Sequence, residues 1–236
     1  MISEAIDITN LQFAWKSDQP LLDIPSLKLP RGESAFLQGP SGCGKSTLLN
    51  LIGGLLLPQQ GKIEVLGQDL SELSPSDRDA FRADHLGVVF QMFNLLPYMN
   101  VLDNVILPCR FSKLRMQKAK SRDGSAVSAA KRLLSDLELA DKSILNRPVT
   151  ELSIGQQQRV AVARALIGAP ELLIADEPTS ALDSDNRQRF IDLLLAECTA
   201  EQVSVLFVSH DASLQGHFGH ALCLNQLNRA CSEVDA

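Results

Sequence analysis

The chain has 236 residues, a formal net charge of −6, and 45% hydrophobic residues. That length suits one sizeable domain, or one domain carrying an inserted subdomain, around a substantial core. The acidic balance argues against a protein whose main partner is a nucleic-acid backbone, because phosphate contacts need clustered Lys and Arg.

Cys43, Cys109, Cys198, Cys223 and Cys231 lie far apart, without metal-ligand spacing, and read as reduced thiols of a cytosolic protein. The start, MISEAIDITNLQ, lacks the basic-then-apolar order of a secretory signal. The longest nearly unbroken apolar run, Leu51 to Leu57, is far short of the roughly 20 residues of a membrane-spanning helix. The chain itself is therefore expected not to cross a bilayer.

From the N-terminus, Ala5 to Phe13 and Leu21 to Leu29 predict two strands, and Ser34 to Gln38 predicts a third. The third runs directly into GPSGCGKST, residues 39–47, and Lys45 to Ile52 has helical character until Gly53 and Gly54 interrupt it. In that strand–loop–helix setting, the pattern G-x-x-x-x-G-K-[ST], here Gly39, Gly44, Lys45 and Ser46, is specific for a phosphate cradle. Ser41, Gly42, Cys43, Gly44, Lys45, Ser46 and Thr47 are the candidate nucleotide-binding residues. Their backbone N–H groups can turn inward only if the loop wraps tightly, and side chains at the glycines would obstruct phosphate oxygens. The helix adds its positive end, Lys45 reaches the β- and γ-phosphates of a nucleoside triphosphate, and Ser46 can ligand Mg²⁺. Cys43, beside Lys45 and a helix N-terminus, has the setting for a lowered thiol pKa. A small residue tolerated in the loop is the simpler reading.

Lys62 to Val65 and Leu86 to Phe90 are further short β segments, and residues 91–165 read as a helical subdomain inserted into an α/β core. Within it, Ala126, Ala129, Ala130, Leu133, Leu134 and Leu137 form one apolar stripe at helical spacing. In FQMFNLLPYMNVLDNVILP, residues 90–108, Pro97 disfavours a regular helix through Phe93, Leu95, Leu96, Tyr98 and Met99. These side chains are either subdomain core or a partly exposed groove for a partner's helix. Arg110, Lys113, Arg115, Lys118, Lys120 and Arg122 form a basic run that reads as a solvated loop, with anionic lipid as the alternative contact.

LSIGQQQRVAVARAL, residues 152–166, is a capped amphipathic helix: Ser153 supplies the N-cap, and Val160, Ala163, Leu166 and Ile167 share a face. Gly155 and Gln156 are left unexplained by that reading. ELLIADEPTS, residues 171–180, is a buried strand over Leu172 to Ala175 that delivers Asp176 and Glu177 to its carboxyl end, the edge where open parallel sheets bind ligands. Asp176 can hold a metal through water, and Glu177 can take a proton from an attacking water. Val203 to Val208 predicts another strand, and the last dozen residues read as a short tail.

Taken in order, the phosphate loop, LSIGQ with QRVAVARAL, and the LLIADE strand resemble the motifs of ABC ATPases, and the resemblance covers essentially the whole chain. It implies a P-loop α/β fold as a single domain over residues 1–236: a mostly parallel sheet core, an antiparallel β subdomain and the helical subdomain at 91–165. Gln91 resembles the family's Q-loop glutamine, SALD (Ser180 to Asp183) its D-loop, and His210 its switch histidine. By that resemblance Trp15 stacks on adenine, with Phe13 as the fallback, and Gln91 senses Mg²⁺ and the γ-phosphate. His210 likewise bonds the γ-phosphate and fixes the attacking water. Two copies would pack head to tail, with Ser153, Gly155 and Gln156 of one covering the nucleotide held by Lys45 of the other.

Ile154 departs from the commonest signature, which has glycine there; a positive φ would be costly for Ile. Its side chain is expected to point away from phosphate and the site to stay active. Residues 90–108 and LIGGLLLPQQGKIEVLGQDL look like the lipoprotein-release and macrolide-export group, the LolD/MacB type. The resemblance thus implies an ATPase subunit that powers a separate transmembrane permease, cytoplasmic and peripherally attached to the inner membrane through it, with ATP and Mg²⁺ as cofactors. A soluble ABC ATPase without a transport role, or a cell-division-type ATPase regulating a membrane partner, are the alternatives.

Overall fold

The structure is a computed structural model that describes residues 4–16, 19–180, 182 and 184–231. Strands β1 (Glu4–Lys16) and β2 (Gln19–Pro30) pair antiparallel, with Ile8 opposite Leu27 and Leu11 opposite Ile24. Their alternation of apolar and polar residues buries one face, as a period of two requires. Strand β4 (Gln60–Val65) adds to β1, setting Ile63 opposite Ile8, and β5 (Gln68–Asp69) completes the sheet order β2-β1-β4-β5.

The second sheet is parallel and has the order β6-β7-β8-β3-β9. Its strands are β3 (Ser34–Gln38), β6 (Leu86–Val89), β7 (Leu172–Asp176), β8 (Ser204–Val208) and β9 (His220–Cys223). Both faces are covered: Phe36 and Phe207 join a core with the helices, while Leu37, Leu206 and Val208 join one with β1 and β2. Doubly covered strands must be apolar on both sides, which is why SVLFV and LLIA show no alternation. The carboxyl ends of β3, β6, β7 and β8 lead into residues 39–44, Gln91, Glu177 and His210 respectively, so four separate stretches of chain meet at one edge of the sheet.

Helix α1 (Lys45–Ile52) follows β3 and α2 (Pro75–His85) precedes β6. Between β6 and β7 come α3 (Val101–Phe111), α4 (Lys113–Asp123), α5 (Ala126–Asp136) and α6 (Ile154–Leu166). Helix α7 (Ser184–Ala200) separates β7 from β8, and α8 (Leu224–Leu227) follows β9. Ser74, Asn100, Ser112, Ser125 and Ser153 each cap the helix after them by accepting a backbone N–H three residues on, a contact worth about 1 kcal/mol apiece. All six residues of the α5 stripe are buried. The stretch 91–100 is irregular, as Pro97 predicts.

Two expectations change. The basic run is not a solvated loop: it spans the end of α3 and most of α4, and Arg115 is buried. Arg115 donates from Nε to the Ile167 carbonyl at 2.7 Å and from Nη2 to the Ala165 carbonyl at 2.5 Å, closing the end of α6. Burial lowers its pKa to about 10, so it stays charged at neutral pH. Arg110 pairs with Asp103, Lys118 with Glu171 and Arg122 with Glu201, while Lys113 and Lys120 are exposed. Nor is the C-terminal stretch a tail up to Cys231. Asn228 is fully buried, its Oδ1 accepting the Asp23 N–H at 2.7 Å and its Nδ2 donating to the Leu21 carbonyl at 2.8 Å, which fastens the segment to β2.

Candidate functional site

Between β3 and α1 the chain turns through two left-handed glycines, Gly42 (φ 82°) and Gly44 (φ 96°). A Cβ on Gly44 would lie 2.7 Å from Leu22 Cδ2, and one on Gly39 would lie 2.7 Å from Cys43 Sγ. These positions are closed to larger residues by backbone conformation or by packing. Gly44 is the N-cap of α1 and supplies no side-chain cap, so the first N–H groups of the helix are open to an anion. Lys45 Nζ donates to the carbonyls of Gly39 at 2.7 Å and Pro40 at 2.9 Å, which holds the ammonium over the loop.

A cavity of about 420 Å³ brings together Ser41, Gly42, Gly44, Lys45, Ser46 and Thr47 with Gln91, Asp176, Glu177 and His210. Asp176 ends β7; burial, reinforced by the charge of neighbouring Glu177, raises its pKa, and Lys45 opposes the rise. Glu177 is a non-glycine residue in the left-handed region (φ 48°), held by its N–H to the Val208 carbonyl at 2.9 Å. Strain of that kind persists where surrounding contacts over-determine it, and it gathers at reactive sites. The Glu177 Oε2 and His210 Nδ1 atoms are 2.8 Å apart, the carboxylate largely enclosed and the imidazole exposed. A carboxylate, a histidine and an ammonium facing one polar cavity beside a helix N-terminus can bind a polyphosphate and deprotonate a water.

The remaining predicted residues lie elsewhere. Cys43 is buried beneath the loop; burial raises its pKa although Lys45 works against it, which overturns the lowered value expected from its neighbours. Trp15 is 65% exposed on β1, outside the cavity, with its ring edge-on to Phe13 at 5.2 Å. Phe13 itself is core, so only Trp15 has a free stacking face.

Ser153, Gly155 and Gln156 border a different cavity of about 640 Å³, with Arg159 and Leu182. There Ser153 Oγ accepts the Gln156 N–H at 3.3 Å and Gln156 Oε1 accepts the Ser153 N–H at 3.0 Å, a full capping box. Ile154 opens α6 without a positive φ, so its substitution for glycine strains nothing. It is 56% exposed and borders the same cavity as Ser153 and Gly155 rather than standing clear of it. Asp183 lies outside the described residues. Leu21, which lines the nucleotide cavity, and Leu224, against which Gly39 packs, escaped the sequence reading because only the fold brings them to the loop.

A glycine-rich loop, a half-buried aspartate, a strained glutamate and a histidine on the carboxyl edge of a parallel sheet define a P-loop nucleotide-binding protein. Residues 22–180 match the family described as ABC transporter. The chain belongs to that family, as an ABC-type ATPase that binds ATP. It is similar, at 38% identity over 211 residues, to the lipoprotein-releasing system ATP-binding protein LolD of Buchnera aphidicola subsp. Schizaphis graminum, with 89% of this chain and 88% of the relative covered. The macrolide export ATP-binding/permease protein MacB of Rhodopirellula baltica is 39% identical over 197 residues, 84% of this chain but 28% of that longer protein. Among solved structures, the ATP-binding cassette MJ0796, a dimer in a post-hydrolysis state bound to ADP and Pi, matches with a TM-score of 0.79 at 32% identity, covering 92% of this chain and 93% of that one.

Proposed function

We propose that the chain drives a separate transmembrane permease, two copies closing head to tail on ATP and reopening after its hydrolysis. The observation that carries this reading is the single cavity that joins the phosphate loop to Gln91, Asp176, Glu177 and His210. In it, the N–H groups of residues 42–47 and the Lys45 ammonium hold the phosphates, and Trp15 offers its exposed ring to adenine. The oxygen donors of Ser46, Gln91 and Asp176 suit Mg²⁺, a hard cation that takes few protein ligands and completes its shell with phosphate and water. Asp176, half-buried beside a second carboxylate, is the anion such a cation would relieve. When bound, Mg²⁺ would neutralise charge on the β- and γ-phosphates.

Hydrolysis forms a bond from a water oxygen to the γ-phosphorus and breaks the bond to the β,γ-bridging oxygen, while the water's proton passes to Glu177. His210, 2.8 Å from that carboxylate, orients the water and donates to the γ-phosphate. Ser153, Gly155 and Gln156 would cover the nucleotide of the second copy, and Asp183 would line the seam between them. The unit acts as one domain over 1–236, with 91–165 as its helical subdomain.

Permease docking falls on the apolar face next to Gln91. Met92 is 82% and Tyr98 78% exposed, and a cavity of about 240 Å³ lies between Leu49, Leu55 and Phe90. Among the described residues no helix is long and apolar enough to cross a membrane, so attachment would come through the permease, on the cytoplasmic side of the inner membrane.

Glu177→Gln removes the base and keeps the shape; hydrolysis should fall by about 10²–10⁴-fold while ATP still closes the dimer. Affinity capture of this variant with Mg²⁺ and ATP from detergent-solubilised membranes should recover a multi-span membrane protein with a large extracytoplasmic part. Recovery of soluble proteins or nucleic acid alone would end the transport reading and leave the ATPase intact.

A further inference from the structure

Immediately after Gln91 the backbone does something the sequence gives no reason for. Phe93 (φ 59°) and Asn94 (φ 49°) are consecutive non-glycine residues in the left-handed region, a conformation that a bulky side chain such as Phe resists. Such a pair survives only when its surroundings hold it. The holder is Arg164, near the end of α6, whose Nη2 donates to the Phe93 carbonyl at 2.5 Å and whose Nη1 donates to the Asn94 carbonyl at 2.7 Å. Among the described residues no ion pair engages Arg164, and burial lowers its pKa. Its charge is directed at two peptide carbonyls, each met by a different nitrogen of a planar fork, a spacing that the single nitrogen of a lysine does not reproduce.

The segment is gripped a second time from α3. Asn104 is fully buried; its Oδ1 accepts the Leu96 N–H at 2.8 Å, and its Nδ2 donates to the carbonyls of Leu96 at 3.1 Å and Asn100 at 3.0 Å. Residues 91–100 are thus an irregular strap with Gln91 in the nucleotide cavity, Met92 and Tyr98 exposed, and two fixed anchor points. One anchor belongs to the helix whose other end carries Ser153 and Gly155. Eleven residues separate Ser153 from Arg164, about 16 Å along a rigid rod.

We propose that Arg164 is a positioning residue that ties the strap after Gln91 to the signature end of α6, so that closure of Ser153 and Gly155 over a partner's nucleotide displaces Met92 and Tyr98. This rests on the dimer and permease reading given above. Asn104 serves as the fixed point against which the displacement is made. A one-helix lever carries the signal from the dimer interface to the docking face without passing through the phosphate loop.

The test is hydrogen exchange on the full-length Glu177→Gln chain, with and without Mg²⁺ and ATP, comparing peptides from 150–158 and 92–99. ATP should slow exchange in both. In the Arg164→Lys variant on the same background, which keeps the charge and loses the fork, the response at 150–158 should remain and that at 92–99 should shrink about fivefold or more. An unchanged response at 92–99 would overturn the linkage while the dimer reading stands. If neither region of the parent responds to ATP, the dimer reading falls and takes the linkage with it.

Adding Asn94→Gly separates linkage from simple support, and also serves if Arg164→Lys alone folds poorly. Glycine accepts the left-handed backbone without strain, so the double variant should regain its melting temperature. The linkage predicts that the 92–99 response stays lost in that double variant; its return would refute the proposal.

Discussion

Two helix N-termini in this molecule border cavities, and they are built in opposite ways. At α1 the N-cap is a left-handed glycine with no capping side chain, and Gly39 and Gly44 are enforced from within by Cys43 and Leu22. At α6 the N-terminus satisfies itself through Ser153 and Gln156, and a Cβ on Gly155 would meet nothing closer than Leu182 Cδ2 at 3.9 Å. Unpaired donors at α1 stay available to a ligand of the same chain. A self-capped end keeps its shape unaided, and the bare Cα of Gly155 answers no need of this chain's own packing. Glycine there makes sense if something outside the chain comes close, as the second copy proposed above would.

The contrast predicts that equivalent substitutions act at different levels. Gly44→Ala should have the largest effect: the left-handed backbone alone costs about 1–2 kcal/mol, the clash with Leu22 adds to it, and melting temperature and ATP affinity should fall together. Gly155→Ala should leave the monomer as stable or up to about 1 kcal/mol more stable, since alanine favours helix, yet lower dimer formation and ATP turnover. Calorimetric melting beside steady-state hydrolysis would separate these outcomes; a Gly155→Ala chain with full turnover would remove the case for a second copy at that site. Ile154→Gly should matter least, losing about 0.5 kcal/mol of helix stability with turnover changed only a few-fold. A rise of orders of magnitude would mean that Ile154 blocks the site it borders.

The phosphate loop was legible because its constraints are local. Ser34–Gln38 and Lys45–Ile52 form with the boundaries the sequence suggests, since a strand, three glycines and a helix leave the loop little choice. Helix α2 was not: none of its residues is buried, so it has no apolar period to read, although Ser74, Pro75 and Asp77 spell a capped start. Charge misled where burial decided the outcome. Arg115 looked like one member of a solvated run and is a buried cap; at Cys43 desolvation outweighs the pull of Lys45, in keeping with the simpler reading of a small residue tolerated in the loop. The left-handed pair Phe93–Asn94 and the docking of Asn228 depend on partners about 70 and 200 residues away, beyond any local pattern.

The place of β3 in the parallel sheet also sets a clock. Among the described residues the strand that aims the phosphate loop pairs with β8 and β9, and Ser204, where β8 begins, is made some 170 residues after β3 has been completed. At synthesis rates of about 5–20 residues per second, that gap lasts on the order of ten to thirty seconds. Throughout that interval the growing polypeptide carries the loop's residues without the scaffold that shapes them. The ability to hold a nucleotide therefore arrives late and all at once as the chain leaves the ribosome, and a product cut short before β8 would have every residue of the loop and no site.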